Sequence, residues 1–136
     1  MSVSTDKIHV WAGIINANEV EDFDNYFELD YETEDMDDPE YKVCGFCKDV
    51  GMKWYDEDWI EVYCEVQTSD VTKFLDGLSI SEETLMEIKD ICINKGFDKI
   101  NAMFCYLDVN SEFEIKEKDK LYNGLVYIGL FDTNFA

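Results

Sequence analysis

Arginine is absent from this chain of 136 residues, histidine and proline occur once each, and no stretch approaches the ~20 consecutive apolar residues of a membrane helix. Each absence removes a class of function. Without arginine, and with 11 lysines against 32 acids for a net charge of -21, the clustered cations that phosphate binding requires are missing. Nucleic acid and anionic membrane are therefore excluded as expected partners, and the long-range field favours a basic protein. His9, the single imidazole, has no hydroxyl or thiol beside it in sequence and reads as a structural or surface residue, not a catalyst. No Gly-rich phosphate loop, G-x-S-x-G or H-E-x-x-H occurs, so neither an enzyme nor a cofactor is called for. Met1 to Lys7 lack a basic region followed by an apolar run, and the five cysteines, Cys44, Cys47, Cys64, Cys92 and Cys105, are odd in number. The expectation is a cytoplasmic protein with reduced thiols that act as small core residues.

What the chain does have is apolar material. With 46% hydrophobic and 15% aromatic residues, a length typical of one domain can bury a core, so the charge describes a surface and not a disordered tail. Residues 1–136 are read as a single domain.

Ile8 to Ile15 is a nearly continuous apolar, β-branched run, the pattern of a buried strand. Asn18 with Glu21 resembles a capping box for a first helix carrying Val20, Phe23 and Phe27 and running to about Leu29. The acidic run from Asp30 to Asp38 repels itself and has few apolar residues, so it is expected as an exposed loop. Asp38 before Pro39 predicts the N-cap of a second helix that ends at Gly51. Alternation of Ile60, Val62, Cys64 and Val66 with Glu61 and Glu65 predicts a half-buried strand. Ser69 and Ser81 are expected to cap two further helices, the second stopped by Gly96 with Leu85, Ile88, Ile91 and Cys92 inward. Ala102 to Leu107 reads as a central strand, Asn110 to Lys120 as an edge hairpin arm or loop, and Leu125 to Phe131 as the last strand, where Gly129 marks a bulge or close approach. The fold class expected is α+β: two layers, with a mostly antiparallel sheet of about four strands and helices on one face.

Two constellations could carry chemistry. Cys44-Gly45-Phe46-Cys47 is a C-x-x-C, but the predicted second helix places it inside a helix instead of at a strand-to-helix junction, and no second Cys pair or histidine completes a zinc site. The acids Asp56, Glu57, Asp58, Glu61 and Glu65, with Asp35, Asp37 and Asp38, do not fit a D-x-D-x-D-G calcium loop, so no metal is assigned. The residues around Gly51 are more unusual. Trp54, Tyr55 and Trp59 bracket three consecutive acids, and large aromatics on a loop must find either a core or a partner. Trp59 is expected to dock in the core, while Trp54 could do either.

Phe46-Cys47-Lys48-Asp49-Val50-Gly51, Trp54-Tyr55-Asp56-Glu57-Asp58, and His9-Val10-Trp11-Ala12-Gly13 ahead of Phe23-Asp24-Asn25-Tyr26-Phe27 together resemble the immunity protein 22 family, over roughly Ile8 to Leu107. That family comprises small bacterial proteins found beside polymorphic toxin genes. The resemblance implies an α+β immunity protein that neutralises a cognate toxin, plausibly a basic nuclease. With the composition of the corner, it makes Trp54 and Tyr55 the expected anchors. Asp56, Glu57 and Asp58 would set encounter and register, and Asp35, Asp37 and Asp38 would form a steering rim. The alternatives are a small metal-dependent hydrolase using clustered carboxylates, or an acidic interaction adaptor.

Overall fold

The apolar run at the start of the chain forms β1 (Lys7–Gly13), which is buried from Ile8 onward and lies in the middle of a five-stranded sheet. The computed structural model describes residues 7–35, 37–52, 54, 55, 57–75, 81–108, 115, 117 and 119–132. The other strands are β2 (Ile60–Asp70), β3 (Lys99–Asp108), β4 (Leu121–Tyr122) and β5 (Leu125–Asp132), in the order β2-β3-β1-β5-β4. Every pairing among the described strands is antiparallel.

A strand can be apolar on both sides only where both faces are covered. Trp11, Phe104 and Tyr127 pack on one face with α1 (Val20–Asn25) and α2 (Gly45–Val50), through Phe23, Phe46 and Cys47. Ile8, Val10, Met103 and Cys105 pack on the other with α3 (Val71–Leu75) and α4 (Glu82–Asn94), through Val71, Phe74, Ile88 and Cys92. The expected α+β class holds, but two layers with helices on one face does not, and the described strands number five, not about four. The doubly apolar β1 and β3 already required cover on both sides.

Local signals explain where elements begin and end. Ser81 caps α4 as expected, its Oγ accepting from the Thr84 N–H at 3.2 Å, and Gly96 follows the helix at φ +93°. The start of the first helix lies two residues earlier than predicted: Glu19 Oε1 accepts from the Asn16 N–H at 3.3 Å and from Asn16 Nδ2 at 2.7 Å, opening the 3-10 turn Ala17–Glu19 that leads into α1. That helix is regular to Asn25, and turn hydrogen bonds from the Phe27 N–H to the Asp24 carbonyl and from the Glu28 N–H to the Asn25 carbonyl carry it almost to the expected end near Leu29. Asp38 does not start the second helix. Its carboxylate accepts from the Glu40 N–H at 2.9 Å and closes a single turn, so α2 waits for Cys44 as its cap, although it ends at Gly51 (φ +78°) as predicted.

The bulge expected at Gly129 is present. Val10 faces Gly129 while Trp11 faces Tyr127, which leaves Ile128 as the extra residue and brings Phe131 to the same side as Ile128. The arm that pairs with β5 is β4, just beyond the expected Asn110–Lys120 stretch, and its turn is Asn123-Gly124, with φ of 56° and 83°, the dipeptide that a two-residue hairpin favours. Of the predicted Asn110–Lys120 arm, residues 110–114, 116 and 118 lie outside the described residues. His9 is structural: it is buried, with Nδ1 2.8 Å from the Tyr127 hydroxyl and Nε2 3.8 Å from Asp108 Oδ2.

Candidate functional site

Trp54 and Tyr55 are neighbours in sequence that separate in space. Tyr55 is 2% exposed, packed edge-on against Phe46 with ring centroids 5.2 Å apart, and its hydroxyl donates to the Phe27 carbonyl. Burial pushes its phenol above the usual range. Tyr55 therefore belongs to the core, which corrects its expected place as an exposed anchor. Trp54 is 49% exposed. Trp59, expected in the core, is also exposed; it closes the 3-10 turn Glu57–Trp59 that feeds β2. Asp58 is exposed on that turn, whereas Asp56 and the side chain of Glu57 lie outside the described residues.

The acidic loop is a loop, as expected, and it has an organiser that sequence reasoning passed over. Asp30 Oδ1 accepts from the N–H groups of Glu32 at 2.9 Å and Thr33 at 3.1 Å, and Oδ2 accepts from the Lys42 N–H at 3.0 Å. One carboxylate thus joins the two ends of the loop. The Lys42 N–H, ahead of the other donors, holds the Asp30 carboxyl below its ordinary value of 3.8. The affinity of an aspartate for backbone N–H groups two residues on was the signal available in sequence; the contact twelve residues away had none. Asp35, Asp37 and Asp38 are all exposed farther along, with Asp35 Oδ1 accepting from the Asp37 N–H at 2.9 Å.

Joined in this way, the loop walls a cleft of about 430 Å³ lined by Leu29, Asp30, Tyr31, Thr33, Glu34, Tyr41 and Trp54. Leu29 is buried and Tyr31 is 70% exposed. The structure therefore brings Trp54 together with the acidic loop, while Asp35, Asp37, Asp38 and Asp58 do not line the cleft.

The C-x-x-C differs from its predicted setting. Cys44 is the N-cap of α2, its Sγ accepting from the Cys47 N–H at 3.3 Å, so the motif opens a helix instead of sitting inside one. Donation from the Cys47 thiol, aided by backbone N–H groups, lowers the Cys44 pKa to about 7, and the same bond with burial raises that of Cys47. All five cysteines are free thiols, and Cys64 alone is not fully buried. Among the described residues no three His, Cys, Asp or Glu side chains gather to hold a metal ion, and no helix is long and apolar enough to cross a membrane.

Residues 8–134, nearly the whole chain, match the family model for Immunity protein 22. No curated protein and no solved structure matches the chain.

Proposed function

The chain belongs to the Immunity protein 22 family, and from that premise we propose that it binds and neutralises a cognate toxin through the surface around Trp54 and the acidic loop, acting as an inhibitor and not as an enzyme. One observation carries the choice of surface: Trp54 stands half exposed at a cleft whose other wall is the most acidic segment of the chain. A half-exposed tryptophan at a concave site has the character of an interface anchor, since large rigid side chains contribute most when a partner completes their burial. Tyr55, packed against Phe46 and Tyr106, contributes to the core beneath the surface and not to the contact itself.

The partner in this reading is a basic protein of the nuclease type. An enzyme that binds phosphates carries a basic surface, and a chain with net charge -21 is attracted to it over a long range. Covering that surface keeps nucleic acid out without any chemical step. Asp35, Asp37, Asp38 and Asp58, with Asp56 and Glu57 assigned from sequence, act mainly on the encounter, because exposed charges steer more than they hold.

Co-expression with the product of the adjacent toxin gene tests this reading. The parent protein should restore growth, and Trp54→Ala, folded to the same degree, should not. Full protection by a folded Trp54→Ala protein would place the anchor elsewhere, and no protection by the parent would remove the toxin assignment.

A further inference from the structure

We infer that the cleft between Trp54 and the acidic loop is a receptor for one cationic side chain of the protein partner, an arginine stacked among Trp54, Tyr31 and Tyr41 with its charge against Asp30 and Glu34. This deepens the reading above and rests on it for the partner being a protein.

The chemistry of the lining selects the occupant. Leu29 gives the cleft a buried apolar contact, three aromatic rings line it, and Asp30, Glu34 and Thr33 supply oxygen atoms. No lysine is among the lining residues, and across Glu28 to Lys42 eight of fifteen residues are Asp or Glu with Lys42 as the one cation. An apolar side chain entering here would gain contact with Leu29 and the rings but leave Asp30 and Glu34 without a partner for their charge, a cost that a cation avoids. An anion would be repelled. A cation on an apolar stem meets every surface: the stem covers Leu29, the charge lies over ring faces, and the carboxylates accept its hydrogen bonds. Arginine suits the site better than lysine because its planar guanidinium stacks on aromatic rings and donates through several N–H groups at once. A cleft of about 430 Å³ exceeds a single side chain, which leaves room for the backbone that carries it.

The cleft is also held ready. Asp30 accepts three N–H groups from the two ends of the loop, fewer than the roughly four acceptor sites of a carboxylate, so it acts as a positioning residue that fixes the wall and can still accept from the guest. A site already shaped before binding loses less entropy when it is filled.

The test uses the whole protein and short peptides. Acetyl-Gly-Arg-Gly-amide is titrated against labelled protein while the Trp54 indole N–H resonance is followed by NMR, beside a peptide in which citrulline replaces arginine with the same shape and no charge. The arginine peptide should move the Trp54 resonance saturably and the citrulline peptide should not, with the response lost in Tyr31→Ala. Tyr31 is largely exposed, so that variant should fold. No response to arginine, or an equal response to citrulline, would overturn the proposal. In a second arm, Tyr31→Ala should weaken binding of the toxin by about tenfold or more. If the parent protects cells and Tyr31→Ala binds the toxin as tightly as the parent, the cleft proposal fails while the immunity reading stands. If the parent gives no protection, the immunity reading fails and the peptide titration still decides the cleft.

Discussion

Trp54 and Tyr55 face opposite ways, and substitutions at the two should separate stability from binding. Tyr55→Phe removes the hydroxyl that donates to the Phe27 carbonyl and leaves that acceptor unpaired beside the core. We expect a loss of about 1–3 kcal/mol in urea unfolding with no change in the slope. Trp54→Ala, at a half-exposed position, should cost much less stability yet abolish protection; equal destabilisation by both would show that Trp54 also belongs to the core. Cys44 provides a pH prediction at the same scale. Its folded pKa of about 7 lies below the ordinary thiol value of 9.0, so between those values the unfolded chain binds more protons and stability rises with pH. The contribution is full above 9.0 and is lost as pH falls through about 7. Cys47, shifted upward, acts in the opposite sense, losing stability once its unfolded-state thiol ionises. Unfolding measured from pH 7 to 9 should show the rise in the parent and a flatter profile in Cys44→Ser.

Among the elements, α2 depends on a residue that looks incidental in sequence. Gly45 begins the helix against the ring of Tyr26, and a Cβ there would lie 2.6 Å from Tyr26 Cδ1. Tyr26 in turn donates to Asp49 Oδ2 at 2.6 Å, and Lys120 lies 3.4 Å from Asp49 Oδ1, which ties α1, α2 and the approach to β4 together. Gly45→Ala should therefore cost about 1–3 kcal/mol through overpacking, read by thermal or urea unfolding. Gly51→Ala meets no neighbour within 4 Å and should cost about 1 kcal/mol, from its positive φ alone. The hairpin turn shows what periodicity overlooks: Asn123-Gly124 spelled it out, but two-residue β4 is too short to register as alternation. The predicted Asp38-Pro39 cap was a local signal overruled by the acidic loop, whose turns take up the side chains that would otherwise cap a helix.

At the scale of the molecule, charge sets how a partner arrives and apolar contact sets how long it stays. Surface plasmon resonance against the toxin should show an association rate that falls about tenfold or more as salt rises from low to physiological strength, with the dissociation rate little altered. An association rate indifferent to salt would count against steering. Purified protein should not retard DNA or RNA in a gel, since its field has the wrong sign for phosphate.

The sequence by itself determined the α+β class, the buried central strands, the start and stop of α4, the bulge at Gly129 and the sign of the surface. Each follows from side-chain period, capping chemistry or net charge, quantities that need no knowledge of distant neighbours. Tertiary structure alone decided which of two adjacent aromatics faces water, which carboxylate organises the acidic loop and where Trp54 meets it. Tyr55 is turned inward by Phe46 and Tyr106, and Asp30 finds its third donor twelve residues away at Lys42. Contacts between residues distant in the chain are fixed by how the elements pack, and packing leaves no periodic trace at the individual residue.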